Sequence, residues 1–273
     1  MIPALAGVLG SRIARAVCDR RDLTSWKRKS YSGKQVCLSG GLDLLAGVTA
    51  ANCAGSFAQP RYRAACLLAT GSAGLAGYID DHCEDRFPAH GKGFRGHLGA
   101  LRRGQLSSGA AKIAIIGTGA MMSAAWLEVC GLSGSNRPNG ARDLRVRFAS
   151  GLVNTAIIAL SANTFNLLDL RPGRARKVAI LLGVPTGGQV GRDAAVAAAA
   201  GIGEDLLGRT MLGDLGANVL GAQLGMGWTR SSLPVRCVTL AALLGVNVAA
   251  ERVSFSQLIE STPVLREFDM LGR

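Results

Sequence analysis

Four aspartates lie at the ends of long apolar stretches, in a chain that has only 18 acidic residues against 31 basic ones. Asp80 and Asp81 follow one stretch, Asp169 follows a second, and Asp214 precedes a third. Carboxylates at the mouth of a hydrophobic helix bundle are costly unless they bind a metal or take part in chemistry. The pattern therefore predicts an enzyme embedded in a membrane.

The chemistry that best suits these carboxylates is phosphoryl transfer. Adjacent carboxylates repel each other, so one of them has a raised pKa unless a cation intervenes, which suits Asp80 and Asp81 to a catalytic role beside a metal-bound phosphate. Asp214 lies in a Gly-Asp-Leu-Gly corner, where the backbone can approach a ligand closely. Because Mg²⁺ prefers one or two carboxylates together with substrate phosphates, Asp214 is the predicted ligand of a Mg²⁺ cofactor.

Two asparagines and several basic residues complete this predicted site. Asn163 and Asn166 are one helical turn apart, on one face of a helix, where they could orient phosphate or metal ligands. Hydrogen bonding between helices is the alternative role for both amides. The basic loops, which include Lys34 and Lys112, supply the cations that a diphosphate group requires.

Nine apolar segments are expected to position these residues. They span 1–17, 37–57, 63–79, 112–132, 147–168, 177–189, 193–209, 215–229 and 233–250. A helix of about 20 residues crosses a membrane, so the chain suffices for about eight to ten crossings. We predict an all-α, polytopic membrane helix bundle of about nine transmembrane helices (range 8–10) over residues 1–250, and an amphipathic cytoplasmic tail over residues 251–273. A soluble protein rich in alanine and glycine is the alternative.

The basic residues, which give the chain a net charge of +13, come in bursts between the apolar segments. Aromatic residues make up only 5% of the chain and are not interleaved with the basic ones. This distribution is typical of loops that face lipid head groups and argues against a nucleic-acid-binding face. The predicted partners are a membrane and phosphate-bearing substrates, with no nucleic acid, and a homodimer is left open.

The basic loops also predict an orientation. Residues 18–36, 80–112 and 170–177 are rich in Lys and Arg and fall on one side when the helices are counted, which the positive-inside rule makes the cytoplasm. Loop 133–146, with its arginines, is an exception on the outer side. All four aspartates then lie at the cytoplasmic face, where they could share one site. The predicted location is the inner, or plasma, membrane.

Cysteines and histidines do not predict a metal site. The seven cysteines include no Cys-x-x-Cys pair and are expected to be free. The three histidines, His82, His90 and His97, share one loop with Cys83 and Asp85, at a spacing that matches no zinc template. A solvated loop is the expectation for this cluster.

Three motifs, in one order and on one predicted side of the membrane, resemble those of the polyprenyl-phosphate N-acetylhexosamine-1-phosphate transferase superfamily, which includes phospho-MurNAc-pentapeptide and phospho-GlcNAc transferases. They are Gly77-Tyr-Ile-Asp80-Asp81, Asn163-Thr-Phe-Asn166-Leu-Leu-Asp169 and Leu212-Gly213-Asp214-Leu-Gly216. Upstream, the segment from Arg28-Lys29 through Gly33 to Gly40-Gly41 resembles the first cytoplasmic loop of the phospho-GlcNAc branch. The resemblance covers about residues 25–250.

The resemblance implies a fold of ten or eleven helices and an enzyme that uses a UDP-sugar and a polyprenyl phosphate. An oxygen of the lipid phosphate attacks the sugar-linked phosphate, UMP leaves, and a lipid-diphosphate-sugar forms. Asp80 or Asp81 would deprotonate or position the lipid phosphate, and Asp214 would hold Mg²⁺. The residues implied at the nucleotide-sugar and phosphate sites are Asn166, Asp169 and Lys112. The first loop favours phospho-GlcNAc as the group transferred, for cell-envelope glycan synthesis.

The chain departs from the family pattern at three places. Asp169 is followed by Leu170-Arg171-Pro172-Gly173 instead of a motif with a second acid, Ala217 replaces the serine of the third motif, and no histidine-rich loop follows the late helices. These departures favour an alternative function, that of a catalytically degenerate relative that binds lipid phosphate or acts as a scaffold.

Two polar residues within the apolar segments leave further interpretations open. Asp43 is expected either to face a cavity or to pair with an arginine. Together with Asn154 it is the only hint of a small transporter, which would place polar residues deep in the membrane. Asp169 could likewise form a local salt bridge with the arginines that follow it.

Overall fold

The all-α prediction is confirmed by the structure, a computed structural model. It describes residues 1–30, 33–83, 86–87, 99–100, 102–105, 107–134, 144–186 and 188–272. The α-helices over these residues are α1 (Ile2–Cys18), α2 (Ser39–Gly55), α3 (Pro60–Cys83), α4 (Ser108–Val129), α5 (Leu144–Leu168), α6 (Arg174–Thr186), α7 (Gly188–Leu206), α8 (Gly213–Trp228), α9 (Leu233–Ala250), α10 (Phe255–Ser261) and α11 (Pro263–Met270). The first nine overlap the nine apolar segments of the sequence, and the last two form the tail.

Over the described residues, three helices are long and apolar enough to cross a membrane, namely α4, α5 and α9. They expose large apolar side chains, such as Trp126 on α4, Phe148 on α5 and Val238 on α9. An extended exposed apolar surface is more stable against lipid than against water. These helices therefore indicate a membrane protein. The other long helices are shorter or more polar.

Helix α8 lies at the centre of the bundle, where every residue from Leu215 to Gly227 is buried. It packs against α2, α3, α5, α6 and α7. Glycines allow this close approach, because a side chain at Gly216 would lie 2.6 Å from the Cα of Gly41, and one at Gly225 would lie 2.8 Å from the Cα of Ile158. The glycine content of the sequence thus serves helix packing here.

Helix α3 continues beyond the apolar stretch that precedes Asp80 and Asp81, so both aspartates lie in its last turn. The sequence placed them after the segment 63–79, because hydropathy reports only the apolar part of a helix. The helix extends into this polar region because its acids find partners on α4 and α8. A helix boundary set by tertiary partners is not visible in a hydropathy pattern.

A small β-hairpin, absent from the sequence prediction, occupies the first basic loop. Strand β1 (Lys27–Lys29) pairs antiparallel with β2 (Gln35–Cys37). Cys37 then extends the pairing to the residues before α8, since its N–H donates to the Arg209 carbonyl oxygen at 3.0 Å and its own carbonyl oxygen accepts from Met211 at 2.9 Å. The hairpin is thereby fixed beside the N-terminus of α8.

Asp43 pairs with two arginines, which was one of the two roles that the sequence suggested for it. Its carboxylate accepts from Arg15 of α1 at 2.9 Å and from Arg176 of α6 at 2.8 Å, and Arg176 also contacts Asp205 of α7 at 2.9 Å. Both charges of the Asp43–Arg176 pair are buried. This network joins α1, α2, α6 and α7 near one end of the bundle. The seven cysteines are free, as predicted.

The close approach of α3 and α8 at Gly77 yields a stability prediction. A Cβ at Gly77 would collide with the carbonyl oxygen of Asp214 and lie 2.5 Å from the Cα of Leu215, both of which are backbone atoms that cannot rotate away. We expect Gly77→Ala to lower the free energy of unfolding by about 1–3 kcal/mol, the usual effect of overpacking. Thermal unfolding of the detergent-solubilised protein measures the change.

The matched control is Gly71→Ala in the same helix, where a Cβ meets no atom within 4 Å. It should leave the melting temperature unchanged or raise it, because alanine favours helix more than glycine does. Equal melting temperatures for the Gly77 and Gly71 variants would show that α3 and α8 do not pack as described.

Candidate functional site

Four helix ends bring polar side chains together at one end of the bundle. Lys112, in the first turns of α4, lies between two carboxylates: its Nζ is 3.1 Å from Asp80 Oδ2 at the end of α3 and 2.5 Å from Asp214 Oδ2 at the start of α8. The Asp80 side chain keeps 19% of its surface exposed and Asp214 keeps 29%, whereas Lys112 keeps 10%. Both carboxylates are thus reachable from outside.

Asn166 of α5 completes this group. With its amide oriented so that both groups are satisfied, Nδ2 donates to Asp214 Oδ1 at 2.6 Å and Oδ1 accepts from Lys112 Nζ at 2.8 Å. The amide thereby bridges the acid and the base. Asp80, Lys112, Asn166 and Asp214 are called the polar cluster below.

Asp81 holds the N-terminus of α8. Its Oδ1 accepts from the N–H of Asp214 at 3.2 Å, and its Oδ2 accepts from the N–H of Leu215 at 2.9 Å. These N–H groups have no partner within the helix, and the helix dipole favours a negative charge at this end. Gly213 adopts φ +62°, a conformation that favours glycine, and thus turns the chain into α8 beside this carboxylate.

Asp169, directly after α5, is the unpaired acid of this region. It is only 5% exposed, and neither of its carboxylate oxygens has a hydrogen-bond partner. Burial raises the pKa of Asp169 well above its usual range, and the nearby Asp205 raises it further, while Arg176 opposes the shift. The N–H of Gly213 also approaches this carboxylate and lowers its pKa, but no side chain hydrogen-bonds to it. A buried carboxylate with so little compensation is costly, so this side chain is available to a cation.

Two predicted site residues, Asn163 and Lys34, are not part of the polar cluster. Asn163 is exposed, and its Nδ2 donates to Asn247 Oδ1 of α9 at 2.5 Å. This contact is the hydrogen bond between helices that the sequence left as the alternative. Lys34 is exposed in the β-hairpin. Arg28 of the same hairpin instead approaches the site, because its Nη2 donates to the carbonyl oxygen of Asp81 at 2.6 Å.

Aromatic rings attach the hairpin to α3. The imidazole of His82 lies 4.3 Å from the ring of Trp26 and is stacked on Tyr78 at 4.7 Å between centroids. Ring contacts of this kind stabilise a pair beyond simple burial. His82 thus packs within the fold. His90 and His97 lie outside the described residues.

The site carries more negative than positive charge. The carboxylates of Asp80 and Asp214 contact the ammonium of Lys112, and that of Asp81 interacts with it electrostatically. Asp214 precedes the apolar segment 215–229, at the polar end of the bundle. Burial, together with Asp80 and Asp81, raises the pKa of Asp214 to about 8, although Lys112 opposes the shift. Additional positive charge would therefore be favourable here.

The donor set suits Mg²⁺. Over the described residues, no group of three or more His, Cys, Asp or Glu side chains could hold a metal ion. Mg²⁺ requires fewer protein ligands, because it is commonly bound by one or two carboxylates with water and substrate phosphates. Asp214 and the unpaired oxygens of Asp169 offer such carboxylates. The residues present thus fit a magnesium ion that arrives with a phosphate substrate.

No family model matches the chain, and no curated protein matches it.

Three further residues support the site without having been predicted. Ser108 hydrogen-bonds to the Asp80 side chain, Ser107 caps α4 by accepting from the Ala110 N–H at 3.2 Å, and Arg28 holds the end of α3. Serine before an apolar run is a recognised helix-start signal, so the cap was detectable in the sequence. The contacts of Ser108 and Arg28 depend on helices distant in the chain and left no such signal.

Removal of the cation from the polar cluster should destabilise the protein in a pH-dependent manner. In Lys112→Met, Asp80 and Asp214 would face each other without a positive charge. We expect a loss of about 2 kcal/mol at pH 8.5, less than the ~3–5 kcal/mol of a fully buried pair because both acids remain partly exposed. The pKa of Asp214 is raised to about 8, so this acid retains its proton in the folded state at pH 5.5 and gives it up as pH rises. Stability therefore falls as pH rises, and the loss should shrink at pH 5.5.

Thermal unfolding in detergent with EDTA at the two pH values measures this difference. The control is Lys29→Met, which removes an exposed cation of β1. A loss in Lys112→Met that is equal at pH 5.5 and pH 8.5 would show that repulsion between these carboxylates is not its cause.

Proposed function

We propose that this chain is a membrane phosphotransferase that moves phospho-N-acetylhexosamine, with phospho-GlcNAc favoured, from a UDP-sugar to polyprenyl phosphate and releases UMP, for cell-envelope glycan synthesis. The observation that supports this most strongly is the convergence of Asp80, Lys112, Asn166 and Asp214 at one end of the bundle. The unpaired Asp169 lies within electrostatic range of Asp214. Acids, a cation and an amide are the groups that phosphoryl transfer requires.

The membrane arrangement is part of the proposal. Helices α1 to α9 would form a bundle embedded in the inner membrane, with the polar cluster at the cytoplasmic face; α6, with 13 residues, would extend only part of the way across. Among the helices that the structure describes, only α4, α5 and α9 have the length and apolar composition of isolated membrane helices. A central helix such as α8 needs no lipid-facing surface, because its neighbours bury it from Leu215 to Gly227. The exposed basic strand Lys27–Lys29 would face anionic head groups on the cytoplasmic side.

The reaction forms one phosphorus–oxygen bond and breaks another. An oxygen of the lipid phosphate attacks the sugar-linked phosphorus of the UDP-sugar, and the bond from that phosphorus to the bridging oxygen breaks, so UMP leaves with the electron pair. A proton on the lipid phosphate would pass to Asp80, because the Asp81 carboxylate is already bonded to two N–H groups of α8 and holds that helix. Lys112 would hold phosphate oxygens by charge.

Asp214 and Asp169 are the residues that would hold Mg²⁺, which supplies positive charge to the phosphates when bound. Asp81 contributes by position, because it holds the helix N-terminus that carries Asp214. Asn166 orients both the Asp214 carboxylate and the Lys112 ammonium. Each of these residues thus has a distinct role in the proposed reaction.

The alternative is a catalytically degenerate relative that binds lipid phosphate or acts as a scaffold. The observation that favours it is the degree to which the acids already have partners. Asp81 caps α8, and Lys112 contacts Asp80 and Asp214, so this group could serve only to hold four helices together. The chain also lacks the second acid after Asp169.

A transfer assay separates the two functions. Purified protein in detergent is mixed with polyprenyl phosphate, Mg²⁺ and radiolabelled UDP-GlcNAc, and label in the lipid phase and released UMP are both measured. We expect Mg²⁺-dependent transfer that falls by about a hundred-fold or more in Asp214→Asn and Asp80→Asn, since each change removes a charge from the reaction centre.

The control is Asp19→Asn, which removes an exposed acid outside the polar cluster and should keep full activity. Thermal unfolding verifies that each variant is folded. If folded wild-type protein transfers nothing from UDP-GlcNAc or from a panel of other UDP-sugars, the degenerate relative is the better interpretation.

A further inference from the structure

The C-terminal tail packs on the turn that joins α5 to α6 and on the first turn of α6. These residues, 169–177, begin with Asp169 and are called the clamped segment. Residues 255–272, which contain α10 and α11, are called the C-terminal clamp. The two are far apart in the sequence, so their contacts are a product of the tertiary structure.

Arg174 makes the central contact. Its guanidinium group donates to both oxygens of Asp269, from Nε to Oδ1 at 2.8 Å and from Nη2 to Oδ2 at 3.1 Å, and Nη1 donates to Ser256 at 3.2 Å. The side chains of Arg174 and Asp269 are 2% and 4% exposed. A two-pronged pair of arginine and carboxylate fixes orientation as well as distance, and burial protects it from screening by salt.

Two other cations of the clamped segment contact the clamp. Lys177 Nζ donates to the carbonyl oxygens of Phe268 at 3.3 Å and Asp269 at 2.6 Å, in the last turn of α11. A cation is favourable there because the last carbonyl groups of a helix lack partners within it. Arg171 forms an ion pair with Glu260 of α10. Both tail helices are thus attached to the same short segment.

Asp169 is positioned in part by this segment. Its N–H donates to the carbonyl oxygens of Phe165 and Asn166, and the Gly213 N–H approaches its carboxylate, but no side chain hydrogen-bonds to that carboxylate. On one side α5 precedes it, and on the other a turn at Gly173, with φ +79°, leads directly to Arg174. A shift of Arg174 would therefore be transmitted over four residues to Asp169.

We propose that Asp269 is a positioning residue for the candidate reaction. Through Arg174 it holds the clamped segment so that Asp169 stays within reach of Asp214 and of a bound phosphate. The inference rests on the proposed function and adds to it a dependence on the C-terminal clamp. It also assigns a task to Arg171 and Arg174, for which the sequence alone offered a local salt bridge to Asp169.

The test compares Asp269→Asn, Asp269→Glu and Glu267→Gln in the full chain. Glu267 is an exposed acid of the same helix and serves as the control. Hydrogen–deuterium exchange is followed in peptides that cover the clamp and the clamped segment, and transfer kinetics are measured with UDP-GlcNAc. In Asp269→Asn we expect about ten-fold faster exchange in both regions, and kcat lowered about ten-fold with KM for UDP-GlcNAc within about two-fold.

Asp269→Glu should recover part of kcat, because it retains the negative charge, and Glu267→Gln should match the wild type in both measurements. Faster exchange in the clamp alone, with kcat and the clamped segment unchanged, would overturn the proposal. If wild-type protein shows no transfer, the positioning role fails together with the proposed function, and exchange still decides whether Asp269 holds the clamped segment.

A second variant covers the case in which Asp269→Asn does not fold. Glu260→Gln weakens the contact to Arg171, and the Glu260 side chain is 43% exposed, so this change is tolerable. It should accelerate exchange and lower kcat in the same pattern by about three-fold. Wild-type values in both measurements would overturn the proposal.

Discussion

The contact on which the rest of the site depends is the one between the Asp81 carboxylate and the first N–H groups of α8. Helix α8 is buried over most of its length, so its N-terminal N–H groups need partners from within the protein. A carboxylate from α3 provides them and brings a negative charge to the positive end of the helix dipole. Once this acid is in place, Asp80 and Asp214 must lie close together, and Lys112 becomes necessary to offset their repulsion. The polar cluster is therefore a consequence of ending a buried helix.

Close backbone packing makes that contact attainable. Gly77 on α3 and Gly41 on α2 leave no side chain between their helices and the start of α8. A larger residue at either position would move Asp81 or the first turn of α8 and break the bonds between them. Small residues at helix contacts are thus a requirement of the site as well as of the bundle.

Some of the scarce acids of this basic chain are used inside the protein. Several are almost fully buried, and most of these pair with arginines from other helices: Asp43, Asp193, Asp205 and Asp269. A buried ion pair broken on one side leaves an uncompensated charge, which makes such pairs strong determinants of which helices meet. Asp169 is the contrasting case, because its oxygens have no bonded partner. That difference separates an acid that joins helices from one available to a ligand.

The sequence by itself determined the helices and the ends at which the acids lie. Apolar segments are local features, and their number and order agree with α1 to α9, because hydropathy and helix formation depend on neighbouring residues. It did not determine which acid of the Asp80–Asp81 pair would contact Lys112 and which would cap α8. It also did not separate Asn163, bonded to α9, from Asn166, bonded to Asp214, although the two are three residues apart. The β-hairpin and the clamp on Arg174 were equally undetermined. The tertiary structure decided these features, because the rotation of a helix, the partner of a buried charge and the contact that fixes the hairpin beside α8 depend on residues dozens of positions away, which no local pattern contains.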